Sequence, residues 1–512
     1  MQILTADEIR AVEERENQIG TDFLTLMERA GKACADQIMR ERRPEDGVIA
    51  IAVGKGKNGG DGFVIGRYLK QAGYRTAILL GFGEPSAKDA VVNRDRAVQA
   101  GVPFLDWNTH MQEGRKLLRS AGAVVDALFG IGFHGAANQE QAVLFEEISR
   151  CPGQVYAIDV PSGVETDTGA VRGTSVRADT TFAISTYKPA HVFYPARACC
   201  GEVKVLNIGL LKESYAAASP SKITWSHDEV EDLLPIRSEM SHKNDFGHVL
   251  SVCGSMRMPG AACMCSNAAV RAGAGLTTAA FPRRAYSAMA AHLSETIMML
   301  PLPDNPDGTL SVSALPQIHR ALERATVCVI GCGLGQTAEV RACVTDILQN
   351  VRCPAVLDAD GLNAIAAAPD VLQSVQGEVV VTPHPGEMAR LMNCPVSAVQ
   401  RDRVGAASAF AKGHRCTVLL KGPDTIVASC HTNQIYINTT GNQGLAKGGS
   451  GDTLSGIIAA LLAQGMSPFY AASVGAWLHG YAADCAAEKM SYRGMCASDL
   501  IEILPFMLRE FE

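Results

Sequence analysis

The sequence predicts an α/β protein made of two consecutive domains, each a parallel sheet covered by helices on both faces. Three observations carry that prediction. Short β-rich runs alternate with helical runs along most of the chain. Strand ends run into glycine-rich turns in two separate places, around residues 53–62 and 441–456. Between them, from about Leu210 to Ser226, the periodic pattern fades. Strands alternating with helices form parallel sheets, because each crossover needs a helix to return the chain to the same edge.

Taken in order, Thr5-Ala6-Asp7-Glu8 has the form of a capping box opening an acidic amphipathic helix, and a second helix spans Phe23 to Arg43, where Pro44 stops it. Strands are predicted at Val48–Val53, Arg75–Leu80, Ala123–Leu128 and Val155–Val160, with a helix from Gly60 to Ala72 closed by Gly73. The small, polar, Pro-broken stretch Lys212–Ser221 reads as a linker. Beyond it, strands are expected at His248–Cys253, Ala325–Ile330, Ala355–Asp358, Val379–Thr382 and Thr417–Lys421. Two Ala-rich helices, Thr453–Leu462 and Pro468–Lys489, close the chain.

Composition narrows the function. Of 512 residues, 47% are hydrophobic and 19% charged, enough apolar material for two large cores. Net charge is −7 and no cluster of Lys and Arg stands out, which argues against a nucleic-acid partner. No apolar run approaches the roughly 20 residues that span a bilayer, and the charged N-terminus lacks the apolar segment of a signal peptide. The 16 cysteines are irregularly spaced without a CxxC pair; Cys263 and Cys265 point to different sides of a helix, and Cys199 and Cys200 are adjacent. Reduced thiols in a cytoplasmic protein are the expectation. The exposed helices of two α/β domains favour a homo-oligomer.

The first glycine loop reads Val53-Gly-Lys-Gly-Lys57-Asn58-Gly59-Gly60-Asp61-Gly62, between a strand and a helix. Glycines there let the backbone approach an anion, which the helix N-terminus also favours. Gly54, Gly56 and Gly59 satisfy GxGxxG, a weak signal alone, and no Gly-Lys-Ser/Thr follows to make a Walker loop. Two later strands end in Asp126-Ala-Leu-Phe-Gly130 and Asp159-Val-Pro-Ser162-Gly. Ligands of open parallel sheets collect at such carboxyl ends. Any one aspartate could merely cap a helix. As a set, Asn58, Asp126 and Ser162 offer hard oxygens suited to a hard cation, leaving Asp159 for acid/base work.

These three segments together resemble the NAD(P)H-hydrate epimerase family, over residues 1–215. The resemblance implies a Rossmann-like three-layer αβα domain, with a potassium ion on Asn58, Asp126 and Ser162. It places substrate on Lys57, Asn58, Gly59, Gly60, Asp61 and Asp159, with Asp159 as acid/base. A second substrate loop would comprise Gly130, Ile131, Gly132, Phe133, His134, Gly135 and Ala136. Lys57 stands where the family has a first Asn, and contact there is expected from the backbone.

The second loop, Gly441-Asn-Gln-Gly-Leu-Ala-Lys-Gly-Gly-Ser450-Gly451-Asp452-Thr-Leu-Ser-Gly456, leads directly into a helix. Its backbone N–H groups would form an anion hole for a phosphoryl group, with Asp452 inside it able to take a proton from an attacking hydroxyl. The bland reading is a helix-capping aspartate. Lys421-Gly422-Pro423-Asp424-Thr425 follows a strand and could hold a nucleotide. Pro383-His384-Pro385-Gly386-Glu387 follows another; a lone histidine there is more often incidental. Gly331-Cys-Gly333-Leu-Gly335 is one more strand-to-helix glycine turn.

With His242-Lys-Asn-Asp-Phe-Gly-His248, Gly254 and Pro259-Gly-Ala-Ala262, these loops resemble the ADP/ATP-dependent NAD(P)H-hydrate dehydratases of the ribokinase-like superfamily, over residues 225–512. That implies a ribokinase-like αβα domain in which Ala262, Gly333, His384 and Asp452 touch substrate. Lys421, Gly422, Pro423, Asp424, Thr425 and Gly451 would hold ADP, with Mg²⁺ on its phosphates. The implied chemistry is repair of hydrated NADH and NADPH: R and S forms exchange in front, and the S form is phosphorylated and eliminated behind, giving NAD(P)H, AMP and phosphate. The competing reading is a small-molecule kinase, for instance of a vitamin precursor, with a front domain that senses dinucleotide without turnover.

Overall fold

The computed structural model describes residues 1–218 and 221–512. The chain divides into two compact units, Met1–Lys222 and Ile223–Glu512. Part of the expected linker, Ser219 and Pro220, lies outside the described residues; Lys212–Tyr215 within it forms one helical turn.

The first unit holds seven parallel strands: β1 (Ile49–Val53), β2 (Thr76–Leu80), β3 (Phe104–Asp106), β4 (Ala123–Ala127), β5 (Gln154–Ile158), β6 (Thr180–Ile184) and β7 (Glu202–Leu206), ordered β3-β2-β1-β4-β5-β6-β7. Strands β1 and β4 are buried along their whole length, as continuous apolar runs in a sheet covered on both faces must be. The order reverses between β1 and β4, so the loops after these strands part and leave a crevice at their carboxyl ends.

The capping box at Thr5 forms as expected: its hydroxyl accepts from Glu8 N at 3.3 Å, and Glu8 accepts from Thr5 N at 2.8 Å. The helix so fixed, Ala6–Gln18, lays Ile9 and Glu13 along the crevice. The helix after β1 begins at Lys57 rather than Gly60. Asn58, Gly59, Gly60 and Asp61 therefore lie in its first two turns instead of in a loop. The turn before it is tight enough to need glycine. A Cβ at Gly54 would stand 1.9 Å from Leu128 O, and one at Gly59 2.0 Å from Gly54 O. Both obstacles are backbone, so relief requires moving β1 from its neighbouring loop. Gly54→Ala is expected to destabilise the first unit by about 3 kcal/mol or more, read as a lowered urea midpoint; an unchanged midpoint would refute this packing.

The sheet of the second unit is built mainly from β8 (His248–Val252), β9 (Leu276–Pro282), β10 (Met298–Leu302), β11 (Val327–Ile330), β12 (Ala355–Leu357), β13 (Val379–Val381), β14 (Thr417–Leu420), β15 (Ile426–Ser429) and β16 (Ile435–Ile437). Their order is β16-β15-β14-β13-β12-β11-β8-β9-β10. Strands β8–β14 pair in parallel, and β15 and β16 extend the sheet antiparallel. The edge strand β10 carries Pro301, which an interior position would not tolerate. Here the order reverses between β8 and β11. The helix Ser450–Ala463 is buried on all sides from Thr453 onward, which its nearly unbroken apolar sequence allows. No helix is long and apolar enough to cross a membrane among the described residues.

Candidate functional sites at the two sheet switch points

In the first unit a cleft of about 840 Å³ opens over the carboxyl ends of β1, β4, β5 and β6. That size suits a cofactor-sized ligand. Lys57, Asn58, Asp61, Asp159 and Gly130–Phe133 line it. His134, Gly135 and Ala136 do not line it; Gly135 N instead donates to Glu165 at 3.1 Å, anchoring the loop. Gly59 and Gly60 also stand outside the lining, their Cα atoms turned to Gly54 and Met27, so their role here is close packing.

Asp159 follows β5 with φ 66°, a left-handed conformation uncommon for a non-glycine residue. Its surroundings impose it. Lys188, only 1% exposed, pairs its ammonium with Asp159 Oδ1 and donates to Ile184 O at 2.6 Å. Ile184 N donates to the same carboxylate at 3.2 Å. His191 Nδ1 accepts from Lys188 N at 3.0 Å, so its proton sits on Nε2, which meets Asp159 O at 2.6 Å. Burial and the Lys188 charge push the His191 imidazole down to about 4, keeping it neutral. Backbone strain of this kind, held by several partners, marks functional positions.

Two further acids face Asp159. Burial, then the charges of Asp159 and Glu13, hold Asp61 well above the usual carboxylate range. Burial likewise raises Glu13, against the pull of Lys57. The Lys57 ammonium lies 3.8 Å from Glu13 and 4.3 Å from the centre of the Phe23 ring.

Beneath the cleft, Asp126 Oδ1 accepts from Ser162 Oγ at 2.7 Å and Oδ2 from Ser162 N at 2.8 Å. Phe129 N donates to Ser162 Oγ at 3.0 Å. A Cβ at Gly130 would lie 3.2 Å from Asn58 Oδ1, so the Asn58 amide abuts the same loop, and its buried Nδ2 has no hydrogen-bond partner. Burial raises the Asp126 carboxyl to about 6.

In the second unit, five of the strands that flank the reversal or follow it end in polar groups: Cys253 after β8, Cys332 after β11, Asp358 after β12, His384 after β13 and Lys421 after β14. Asp452 sits in the first turn of the helix that starts at Ser450, after Gly449 in a left-handed conformation at φ 93°. The ligand atoms of Cys332, Asp358 and Asp452 all lie within 4.8 Å of one another. Asp358, 1% exposed, accepts from Lys421 Nζ, Ser455 Oγ and Ala359 N, each at 2.8 Å. Lys421 also stands 3.9 Å from Glu387, whose other oxygen is 3.5 Å from His384 Nε2. Burial would lower Lys421, but Asp358 and Glu387 outweigh it and hold it above its ordinary value. Burial, followed by Cys332 and Asp358, pushes Asp452 up to about 9.

The remaining expected residues fall around this core. A Cβ at Gly451 would stand 3.2 Å from Lys421 Nζ. Gly333, at φ 68°, packs on Met258 and Ala261, and Ala262 abuts Gly254. The turn Lys421–Thr425 is closed by Thr425 Oγ1 on Gly422 O at 2.9 Å and braced by Arg403, which lies 3.3 Å from Asp424 and donates to Leu420 O, Lys421 O and Asp424 O. Pro423 is exposed. The Asp424 carboxylate is thus engaged by Arg403, and Lys421 by Asp358.

Two α/β units define a two-site enzyme for small molecules. One places an acid over a polar cleft at its sheet reversal, the other a carboxylate in a glycine-rich helix start. The comparisons with known proteins say which. Residues 249–506 match the family model described as NAD(P)H-hydrate dehydratase, and residues 24–190 that of the YjeF-related protein N-terminus. The bifunctional NAD(P)H-hydrate repair enzyme of Moorella thermoacetica is 38% identical over 96% of this chain and 93% of its own, and that of Escherichia coli 35% over 98% and 92%. The second unit is similar to the solved ADP/ATP-dependent NAD(P)H-hydrate dehydratase of Bacillus subtilis co-crystallised with ATP and Mg²⁺, 30% identical over 56% of this chain and 98% of that one, TM-score 0.49. The chain belongs to the bifunctional NAD(P)H-hydrate repair enzymes.

Proposed function

We propose that the first unit interconverts the R and S hydrates with Asp159 as acid/base, and that the second dehydrates the S form at the expense of ADP with Asp452 as base. The observation that carries this reading is the Asp452 carboxylate in the first turn of a glycine-led helix, beside the Lys421–Asp358 pair. Free N–H groups of that turn suit a phosphoryl group in flight. Asp452 takes the proton of the ring hydroxyl as its oxygen attacks phosphorus. Phosphate then leaves from that carbon, a proton leaves its neighbour, and the ring double bond returns. Hydroxide leaves poorly and phosphate well, which is the purpose of the transfer. Mg²⁺ on the nucleotide would neutralise charge on its phosphates; Lys421 and the backbone at Gly451 are the groups of this chain that would hold them.

In the first unit Asp159 moves the proton, Lys188 holds its carboxylate in place, and Asp61, its carboxyl raised by burial, lines the cleft beside it. Asn58, Asp126 and Ser162 suit K⁺: their oxygens are hard donors, and all three residues are buried beneath the cleft. K⁺ there would supply fixed positive charge under the cleft. Epimerisation is therefore expected to fall at least tenfold when K⁺ is replaced by a bulky organic cation, and Asp126→Asn to be slow and insensitive to K⁺. Equal K⁺ response in the variant would remove the assignment. The 16 free thiols support a reducing compartment, the cytoplasm.

The test of the donor is direct: incubation with S-hydrate, Mg²⁺ and ADP should release AMP and phosphate in equal amounts with the reduced cofactor. Accumulation of a stable phosphorylated product would favour the kinase reading instead.

A further inference from the structure

Cysteine spacing gave no hint of a metal site, yet folding brings three thiols together. Cys253 closes β8, Cys332 follows β11, and Cys265 comes from the helix Pro259–Arg271. Their sulfurs all lie within 4.8 Å of one another, and each residue is fully buried at 0% exposure. The first two occupy the point where the strand order reverses, and their loops are tied by Gly254 N donating to Cys332 O at 2.7 Å. Outside the triad, Cys253 reaches Val329 O at 4.0 Å, and Cys332 reaches Asp358 at 4.0 Å and also faces Asp452. Three thiolates around one ion at a metal–sulfur distance of about 2.3 Å stand about 4.0 Å apart, a spacing that this cluster already approximates. Thiolate sets select soft cations over Mg²⁺ or K⁺.

We propose that Cys253, Cys265 and Cys332 form a three-thiolate site for a soft d¹⁰ cation, and that its occupation shuts off dehydration. Cys332 belongs to both groups, the thiol triad and the Cys332–Asp358–Asp452 cluster. Binding turns its sulfur from the carboxylates toward the metal and shifts the loop Gly331–Gly335, which lies against the partly buried Asp452. The cation enters from that side. The inhibitory half rests on the role given to Asp452; the binding half does not.

The test uses the full-length enzyme, reduced, desalted under argon and titrated with cadmium chloride while the ultraviolet thiolate-to-cadmium charge-transfer band is followed. Wild type and Cys343→Ala, a buried thiol outside the triad, should each show one tightly bound equivalent. Cys253→Ala and Cys265→Ala should lose it; their thermal transitions and metal-free dehydration show that they are folded. Dehydration in wild type should fall at least tenfold as the band saturates, recover with a chelator, and stay unaffected in Cys265→Ala, while epimerisation is constant throughout. A band of undiminished amplitude in both triad variants, or no tight equivalent in wild type, overturns the site. A full band with undiminished dehydration overturns its coupling to catalysis.

Discussion

Asp452→Asn should lower dehydration of the S-hydrate by about 10³-fold, within the range general-base removal produces, while R/S exchange continues at the wild-type rate. The side chain is nearly isosteric, and its neighbours Cys332, Asp358 and Lys421 keep their places, so folding should survive. The pH dependence carries the same information independently. With the free-enzyme carboxyl at about 9, only about one molecule in a hundred holds the base form at pH 7. The kcat/KM for dehydration should therefore climb roughly tenfold per pH unit above 7 and level near 9. Burial leads the causes of that elevation, followed by Cys332 and Asp358. Asp358→Asn removes one neighbouring charge and frees Lys421 to face Asp452, so it should move the rising limb toward acid. For stability the sign is opposite: a carboxyl raised on folding favours the fold in its protonated form, and that contribution is lost as pH rises through about 9. A flat pH profile, or Asp452→Asn retaining more than a tenth of the activity, would remove Asp452 as base.

Asp159→Asn should have the second large effect, on stability and epimerisation together. Asn tolerates the left-handed backbone, so the conformation at φ 66° persists. The Lys188 ammonium, 1% exposed, loses its counter-charge. Leaving one member of a buried pair alone costs about 3–5 kcal/mol, and loss of the acid/base group costs about 10²–10⁴ in rate. The double variant Asp159→Asn/Lys188→Met separates the two losses. Without a buried cation the thermal midpoint should recover toward wild type, and epimerisation should not. Recovery of both would mean that the pair only holds the fold; loss of neither in the single variant would mean that Asp159 is a bystander.

The sequence reading found the groups that follow strands it had identified. Asp126, Asp159 and His384 were legible because each closes an apolar β-rich run, and Asp452 because four glycines crowd before it. Lys188 and His191 were not, because their strand, Thr180–Ile184, opens with two threonines and was not recognised, so nothing marked the residues after it. Asp358 carries the same strand-end signal as Asp126, and its weight shows only in the fold, where Lys421, Ser455 and Cys332 converge on it. The strands Leu276–Pro282 and Met298–Leu302 were missed for similar reasons, one carrying Thr-Thr-Ala-Ala and the other Pro301 with half-exposed methionines. The helix at Lys57 starts early because Gly56 takes the cap position. The thiol triad could not be read at all, since it assembles from three elements that only the sheet order brings together.

The claim that this one chain carries two separable activities is tested most directly with a mixture of R- and S-hydrates, K⁺, Mg²⁺ and ADP, following recovery of the reduced-nicotinamide absorbance. Wild type should convert the whole mixture, Asp159→Asn only the S portion at full initial rate and the R portion slowly, and Asp452→Asn none while still exchanging R and S. Complete conversion at the wild-type rate by Asp159→Asn, or loss of exchange in Asp452→Asn, would contradict it.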